Sequence, residues 1–278
     1  DKGFWTVTTD AAVTPWQIED GSGNPVEATG DEQVELFRSV KAGNGRVEIA
    51  LTDGGTLSAA QVNDLSVAGT ANCYVVSAPG TYVFNARVRG NGAGEGVGFE
   101  PAIEMADGMT ADWLWTDSEG LVSGVALDTT SGDIFLTVGE GRGNALVALM
   151  QDGKVVWSWH VWVTDAPQTM TYGNGTVFMD RNLGAVGTTA GGTDAYGMYY
   201  QWGRKDPFYG GEKTETSANA FLEAKNGTVV NPAYPALDWD FSKSATTTDG
   251  AAANPMTFYN DKVGTGYNWL ASPNATLW

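Results

Sequence analysis

The chain has 278 residues, 33 of them acidic and 15 basic, and the formal charge of −18 repels nucleic acid and anionic membranes. A single cysteine, Cys73, and a single histidine, His160, exclude an internal disulfide framework, a Cys-rich zinc site and most His-based triads. The 37 glycines, 11 tryptophans and 42% hydrophobic content predict short strands and tight turns around about two cores, at ~100–200 residues per domain.

In chain order, residues 1–69 read as a β region that ends a larger domain. Gly45–Thr52 alternates, with Val47, Ile49 and Leu51 on one face of a half-buried strand, and Asp53-Gly54-Gly55 reads as a turn. The stretch 33–40 fits either a strand or a short helix, because its apolar residues fall at Val34, Leu36, Phe37 and Val40. From Asn72 to Asn85 two strand-like runs flank Pro79-Gly80 and predict a hairpin. Further strands are expected at 111–116, 121–127, 133–138, 144–150 and 155–164, with turn signals at the ~8–12-residue spacing of an all-β sandwich. Residues 70–166 are therefore read as an immunoglobulin-like sandwich. Its last strand places Trp157, Trp159, Val161 and Val163 on a core face, and Ser158, His160 and Trp162 on the other.

Asp165-Ala166-Pro167 breaks the pattern and suggests a boundary. Residues 167–278 open with two strands, 169–172 and 176–180, around Gly173-Asn174-Gly175, and the best helix candidate is 217–225. The densest stretch is Tyr196–Phe208, with five aromatic rings beside Arg204-Lys205-Asp206. Read as a strand, it puts Tyr200 and Trp202 on one face and Tyr199 and Gln201 on the other. That division favours scaffold over ligand shelf, and on it Trp202→Ala costs roughly 3–5 kcal/mol.

The glycine run 90–96 lacks the Lys-Ser/Thr and the following helix of a phosphate loop, and reads as surface. Cys73 reads as a small buried apolar side chain, and His160 as a packed residue without a Ser or Cys partner in a recognisable motif. For ligand contact the candidates are Tyr234, Asp238, Trp239, Asp240, Tyr259 and Trp269: rings that stack on sugars or fill a loop-rich core, and carboxylates that clamp hydroxyls, hold Ca²⁺ or face solvent. No catalytic residue, resident metal or other cofactor is expected.

The run Phe178–Ala185 followed by Tyr196–Phe208 resembles the signature of surface and fimbria-associated proteins of Bacteroidales, whose C-terminal module is a FISUMP-like domain related to C-type-lectin-like folds. Ala71–Tyr82 and Trp157–Asp165 resemble segments that precede that module. To the N-terminal β region (1–69) and the immunoglobulin-like sandwich (70–166) read from the strand pattern, the resemblance adds a loop-rich α+β C-type-lectin-like domain (167–278), so the chain is expected to be mainly β. It further implies an exported, lipid-anchored protein of the cell surface, outer membrane or fimbrium. Such a protein is a non-enzymatic adhesin or minor or tip fimbrial subunit, contacting glycan, a host or bacterial surface protein, or other pilus subunits. The alternatives are a structural pilus component joined by strand addition and a surface glycan-processing protein. After a segment like 267–278 the family continues into a Pro-Cys-Pro-Pro-Gly-type run, so the last domain is expected to be incomplete here. Formylglycine-generating relatives depend on active-site cysteines that 167–278 lacks, and that activity is not carried over.

Overall fold

A computed structural model describes residues 62–92, 102–209, 228–234, 246–259 and 268–272 with their side chains, and the backbone of strands within 4–61. Expectations that rest on the turn at 53–55, on glycines 93–96 or on a helix at 217–225 lie outside the described residues. The protein is mainly β with almost no helix: sixteen strands are described against one α-helix of six residues. Its chain divides into two compact units, 1–64 and 65–278.

In the first unit, β4 (Phe37–Gly43), β5 (Arg46–Leu51) and β6 (Thr56–Asp64) form an antiparallel meander, and β1 (Phe4–Thr6) pairs with β6. A short ladder joins β2 (Ile18–Glu19) to β3 (Pro25–Val26). The stretch that fits either period becomes strand from Phe37 onward, with Val40 opposite Ile49. Cross-strand pairing decides what local periodicity leaves open.

The second unit is built on two sheets. One orders β8 (Gly80–Asn85), β11 (Asp133–Val138) and β10 (Val122–Asp128), all antiparallel. The other orders β16 (Val229–Val230), β9 (Met109–Thr116), β12 (Gly143–Gln151), β13 (Lys154–Val163) and β7 (Cys73–Val76), with β7 parallel to β13. The inward side chains share one core: Tyr82, Phe84, Ile134 and Leu136 from the first sheet, and Tyr74, Val147, Trp159 and Val161 from the second. Phe84 sits 5.0 Å from Tyr74 and 5.1 Å from Trp159 between ring centroids, joining the two layers by tilted aromatic contacts.

The hairpin expected around Pro79-Gly80 does not form. β7 pairs with β13 and β8 with β11, so the turn carries the chain from one sheet to the other. Gly80 has φ +152°, a backbone that other residues rarely adopt, and the Tyr82 hydroxyl donates to the Ala78 carbonyl at 2.6 Å to pin the crossing. Between β12 and β13 the chain does make a tight hairpin. Asp152 (φ +52°) and Gly153 (φ +73°) supply the two left-handed residues of a type I′ turn.

β12 is buried at eight of its nine positions, because its second face is covered as fully as its first. Leu146, Ala148 and Met150 on that face join Leu114 and Trp115 of β9 with Phe208, Tyr209 and Met256 in a second cluster. The chain after β13 supplies this cover. β14 (Thr169–Thr171) and β15 (Val177–Met179) form an exposed antiparallel ribbon, followed by a 3₁₀ turn at Thr193–Ala195 and by α1 (Thr248–Ala253).

Candidate functional site

β13 presents Ser158, His160 and Trp162 toward the later chain, and all three are buried, each 1% exposed. The face expected to lie opposite the core is thus itself an interior. Trp162 Nε1 donates to the Ala185 carbonyl at 3.0 Å. His160 is the centre of a polar relay. Asn144 Nδ2 donates to Asp117 Oδ2 at 2.8 Å and to the Gly184 carbonyl at 2.9 Å, which leaves Asn144 Oδ1 as an acceptor 2.8 Å from His160 Nε2. Nε2 therefore carries the imidazole hydrogen, and Nδ1 accepts from the Tyr200 hydroxyl at 3.1 Å and the Cys73 thiol at 3.2 Å.

A thiol, an imidazole and an amide in this sequence have the connectivity of a nucleophile, base and orienting group. Their environment holds them out of that role. Burial pushes the Cys73 thiol up to about 12 and the His160 imidazole down to about 3, so both are neutral at physiological pH and the pair holds no thiolate. Burial also raises the Tyr200 phenol. The relay joins β7, β12, β13 and the Tyr196–Phe208 stretch as framework.

A second buried group lies one residue pair along β13. Lys205 Nζ donates to Ser158 Oγ and its carbonyl and to Asp206 Oδ1, while Ser158 Oγ donates to Asp206 Oδ1 at 2.6 Å. Arg204 donates to the carbonyls of Ala251 (3.2 Å), Asn254 (2.8 Å) and Thr257 (2.6 Å), and to Gln201 Oε1 (2.8 Å). It thereby satisfies acceptors at the C-terminal end of α1, with its guanidinium 4.8 Å from the Phe208 ring centroid and 5.5 Å from that of Tyr259. Burial lowers the affinity of Arg204 and Lys205 for their protons, and the Asp206 carboxylate opposes it.

With these side chains directed inward, Tyr196–Phe208 is not a strand. It is a loop closed by one antiparallel bridge: Tyr199 N donates to the Phe208 carbonyl at 3.0 Å, and Phe208 N to the Tyr199 carbonyl at 2.8 Å. At its tip Arg204 N donates to the Gln201 carbonyl at 2.8 Å, and Gly203 takes φ +73°. The turn sends Gln201, Arg204 and Asp206 inward and Trp202 outward. Trp202 is 74% exposed and Tyr196 66%, which corrects the expectation of a buried Trp202. The Trp-Gly pair at 202–203 is the sequence signal for this turn.

The tip borders a cleft of about 500 Å³ lined by Asn72, Cys73, Leu183 and the run Tyr200–Lys205. A similar hollow of about 490 Å³ lies beyond Leu183, against Phe178, Met179 and Arg181. Arg181 there is held by Asp165 and Asp180, and its guanidinium keeps Asp165 down at about 2. Arg142 also pairs with Asp165 at 2.8 Å, so the segment after β13 is clamped rather than loose.

The sequence-derived candidates are dispersed. Tyr234 lies beside β9, where its hydroxyl donates to Asp112 Oδ2 at 3.0 Å; burial, followed by that carboxylate, raises its phenol to about 12. Tyr259 and Trp269 do come together, behind the loop tip. The Tyr259 carbonyl accepts from Gln201 Nε2 at 2.6 Å, and Trp269, 5% exposed, donates from Nε1 to the Trp202 carbonyl at 2.7 Å. They buttress the loop whose exposed ring is Trp202. Asp238, Trp239 and Asp240, with the Ca²⁺ site considered for them, lie outside the described residues. Among the described residues no cluster of three or more His, Cys, Asp or Glu is placed to hold a metal ion, and no helix is long and apolar enough to cross a membrane. No protein-family model matches the chain, and no curated protein or solved structure matches it at a significant level.

Proposed function

We propose that this chain is a non-enzymatic adhesion protein of a bacterial surface, or a minor or tip fimbrial subunit, that makes contact through the region after residue 166. The observation that carries this reading is the loop at Tyr196–Phe208. It is bolted inward by Arg204, Asp206 and Trp269 while it displays Trp202, and the one imidazole and one thiol are buried and neutral. A rigid displayed ring over a quenched interior suits recognition better than turnover.

The finer fold reading belongs to the same proposal. Residues 70–166 are an immunoglobulin-like sandwich, for which two sheets with a common core give support, and 167–278 are a C-type-lectin-like module, for which the resemblance of 178–208 to FISUMP-like proteins is the support. Export and lipid anchoring rest on that resemblance alone.

A second reading, a structural pilus component joined by strand addition, is favoured by the β14–β15 ribbon. Met170, Val177, Phe178 and Met179 are all exposed on it, and a two-stranded ribbon has two open edges. The two readings separate in one experiment. Beads carrying the purified chain are expected to adhere to target cells and to lose adherence with Trp202→Ala. Co-purification with pilins, abolished by substitutions in 169–179 and indifferent to Trp202, supports the structural role instead.

A further inference from the structure

We infer that the β14–β15 ribbon is a lipid-contact finger, which enters the headgroup layer of a neutral, zwitterionic membrane with its tip and both of its faces. The inference rests on the reading of the region after residue 166 as a contact region and adds a partner class to it.

The ribbon is held at its base and bare above it. Asp180 N donates to the Gln168 carbonyl at 2.9 Å, and the Arg181 guanidinium spans the two ends of the hairpin, donating to Asp165 before β14 and to Asp180 after β15. At the tip Gly175 N donates to the Tyr172 carbonyl at 2.9 Å, and Thr176 N to Asn174 Oδ1 at 3.0 Å. A hairpin fixed at both ends loses little conformational freedom on contact.

The register sorts its side chains. Met170 stands opposite Phe178, and Thr171 opposite Val177. Met170, Tyr172 and Phe178 therefore share one face, where the Tyr172 and Phe178 rings meet edge to face at 5.5 Å, and Val177 and Met179 share the other. All five side chains are between 45% and 61% exposed. Among the described strands none pairs with the ribbon from outside, so large apolar groups lie bare on both faces of an element that is marginal in water by itself.

Size and charge decide between occupants. The hairpin 169–179 is far shorter than the ~20–30 residues that each side contributes to a stable protein interface. A second copy or a folded partner lying on one face would leave the other in water, whereas a lipid surface surrounds a projecting finger on both. From Ala166 to Met179 the chain carries no charged residue, so the ribbon has none of the Lys or Arg that draws a protein to anionic lipid, and the −18 of the whole chain opposes such a surface. A neutral headgroup layer meets neither objection. Tyr and Phe are side chains that rest at that level, with the ring toward the acyl boundary. The outer edges of the ribbon, unpaired among the described strands, carry backbone N–H and C=O groups that hydrocarbon does not satisfy, so contact stops at the hydrated headgroups.

The test is flotation of the intact chain with phosphatidylcholine vesicles, in parallel with vesicles of equal parts phosphatidylcholine and phosphatidylglycerol. The chain is expected to float with the neutral vesicles and to bind the anionic ones more weakly, the reverse of a basic peripheral protein. Phe178→Asp and Met170→Asp are each expected to weaken binding to neutral vesicles by about tenfold or more, and Phe178→Leu to retain most of it. Because these side chains are exposed, the variants keep the parent fold, which circular dichroism verifies. Absence of flotation with neutral vesicles, or binding unchanged by both Asp variants, overturns the inference. A dimer in sedimentation velocity that Phe178→Asp dissolves, without flotation, also overturns it and gives the ribbon to a second copy. Adherence to cells without flotation overturns the lipid contact and leaves the adhesion reading standing; flotation without adherence does the opposite.

Discussion

His160 binds no proton at neutral pH in the folded chain, and this gives stability a pH signature. The unfolded imidazole titrates near 6.5 and the folded one near 3, so between those values the unfolded state binds the extra proton. Stability is full above about pH 6.5 and declines as pH falls through the window, by a few kcal/mol in all at ~1.4 kcal/mol per unit. Thermal melting is expected to drop between pH 7 and pH 4.5, above the range where the depressed Asp165 carboxylate contributes. His160→Gln is expected to be less stable at pH 7 but flatter in that interval, and a parent melt that does not fall contradicts the buried neutral imidazole. Cys73 follows the same logic: with its thiol at about 12, native protein at pH 8 is expected to resist iodoacetamide and to label fully in urea. Rapid native labelling would show an accessible thiolate. Sequence suggested inertness for both residues, but not that they touch, since 87 positions separate them and parallel pairing of β7 with β13 brings them together.

At the scale of elements, the strands from β9 to β13 were legible because turn residues bound each run of apolar and β-forming residues. The Asn72–Asn85 hairpin misled because a turn dipeptide shows where a chain bends and not which partner each arm pairs with. The loop at Tyr196–Phe208 misled for a related reason. Alternation was read as far as Trp202, but Trp202 and Gly203 form the corner of a turn closed by Arg204 N on the Gln201 carbonyl, and the corner leaves Trp202 exposed. What locks that loop is charge: Asp206 is the carboxylate facing Arg204 and Lys205 in the interior. Asp206→Ala is expected to destabilise by about 3–5 kcal/mol, because two cations are left without a counter-charge. A chemical-denaturation midpoint matching the parent would show that the cluster does not hold the loop. The candidate residues Tyr259 and Trp269 were found by their aromatic character and serve this loop from behind, an arrangement no local pattern shows.

Across the molecule, the governing feature is that one sheet of the second unit is buried on both faces. The sandwich core takes one side and residues after 180 take the other. The sequence carried a trace of this in Ala145–Met150, an unbroken apolar run where a half-exposed strand would alternate. Covering the second face uses Phe208, Tyr209 and Met256, and it leaves Trp202 facing outward from the same segment. That separation of framework from display underlies the reading as a binding protein, and the measurement that tests it most directly is the thermal melt of Trp202→Ala. The displayed ring predicts a stability within about 0.5 kcal/mol of the parent, as at other exposed positions. A loss of roughly 3–5 kcal/mol, the cost of truncating a buried tryptophan, would contradict it.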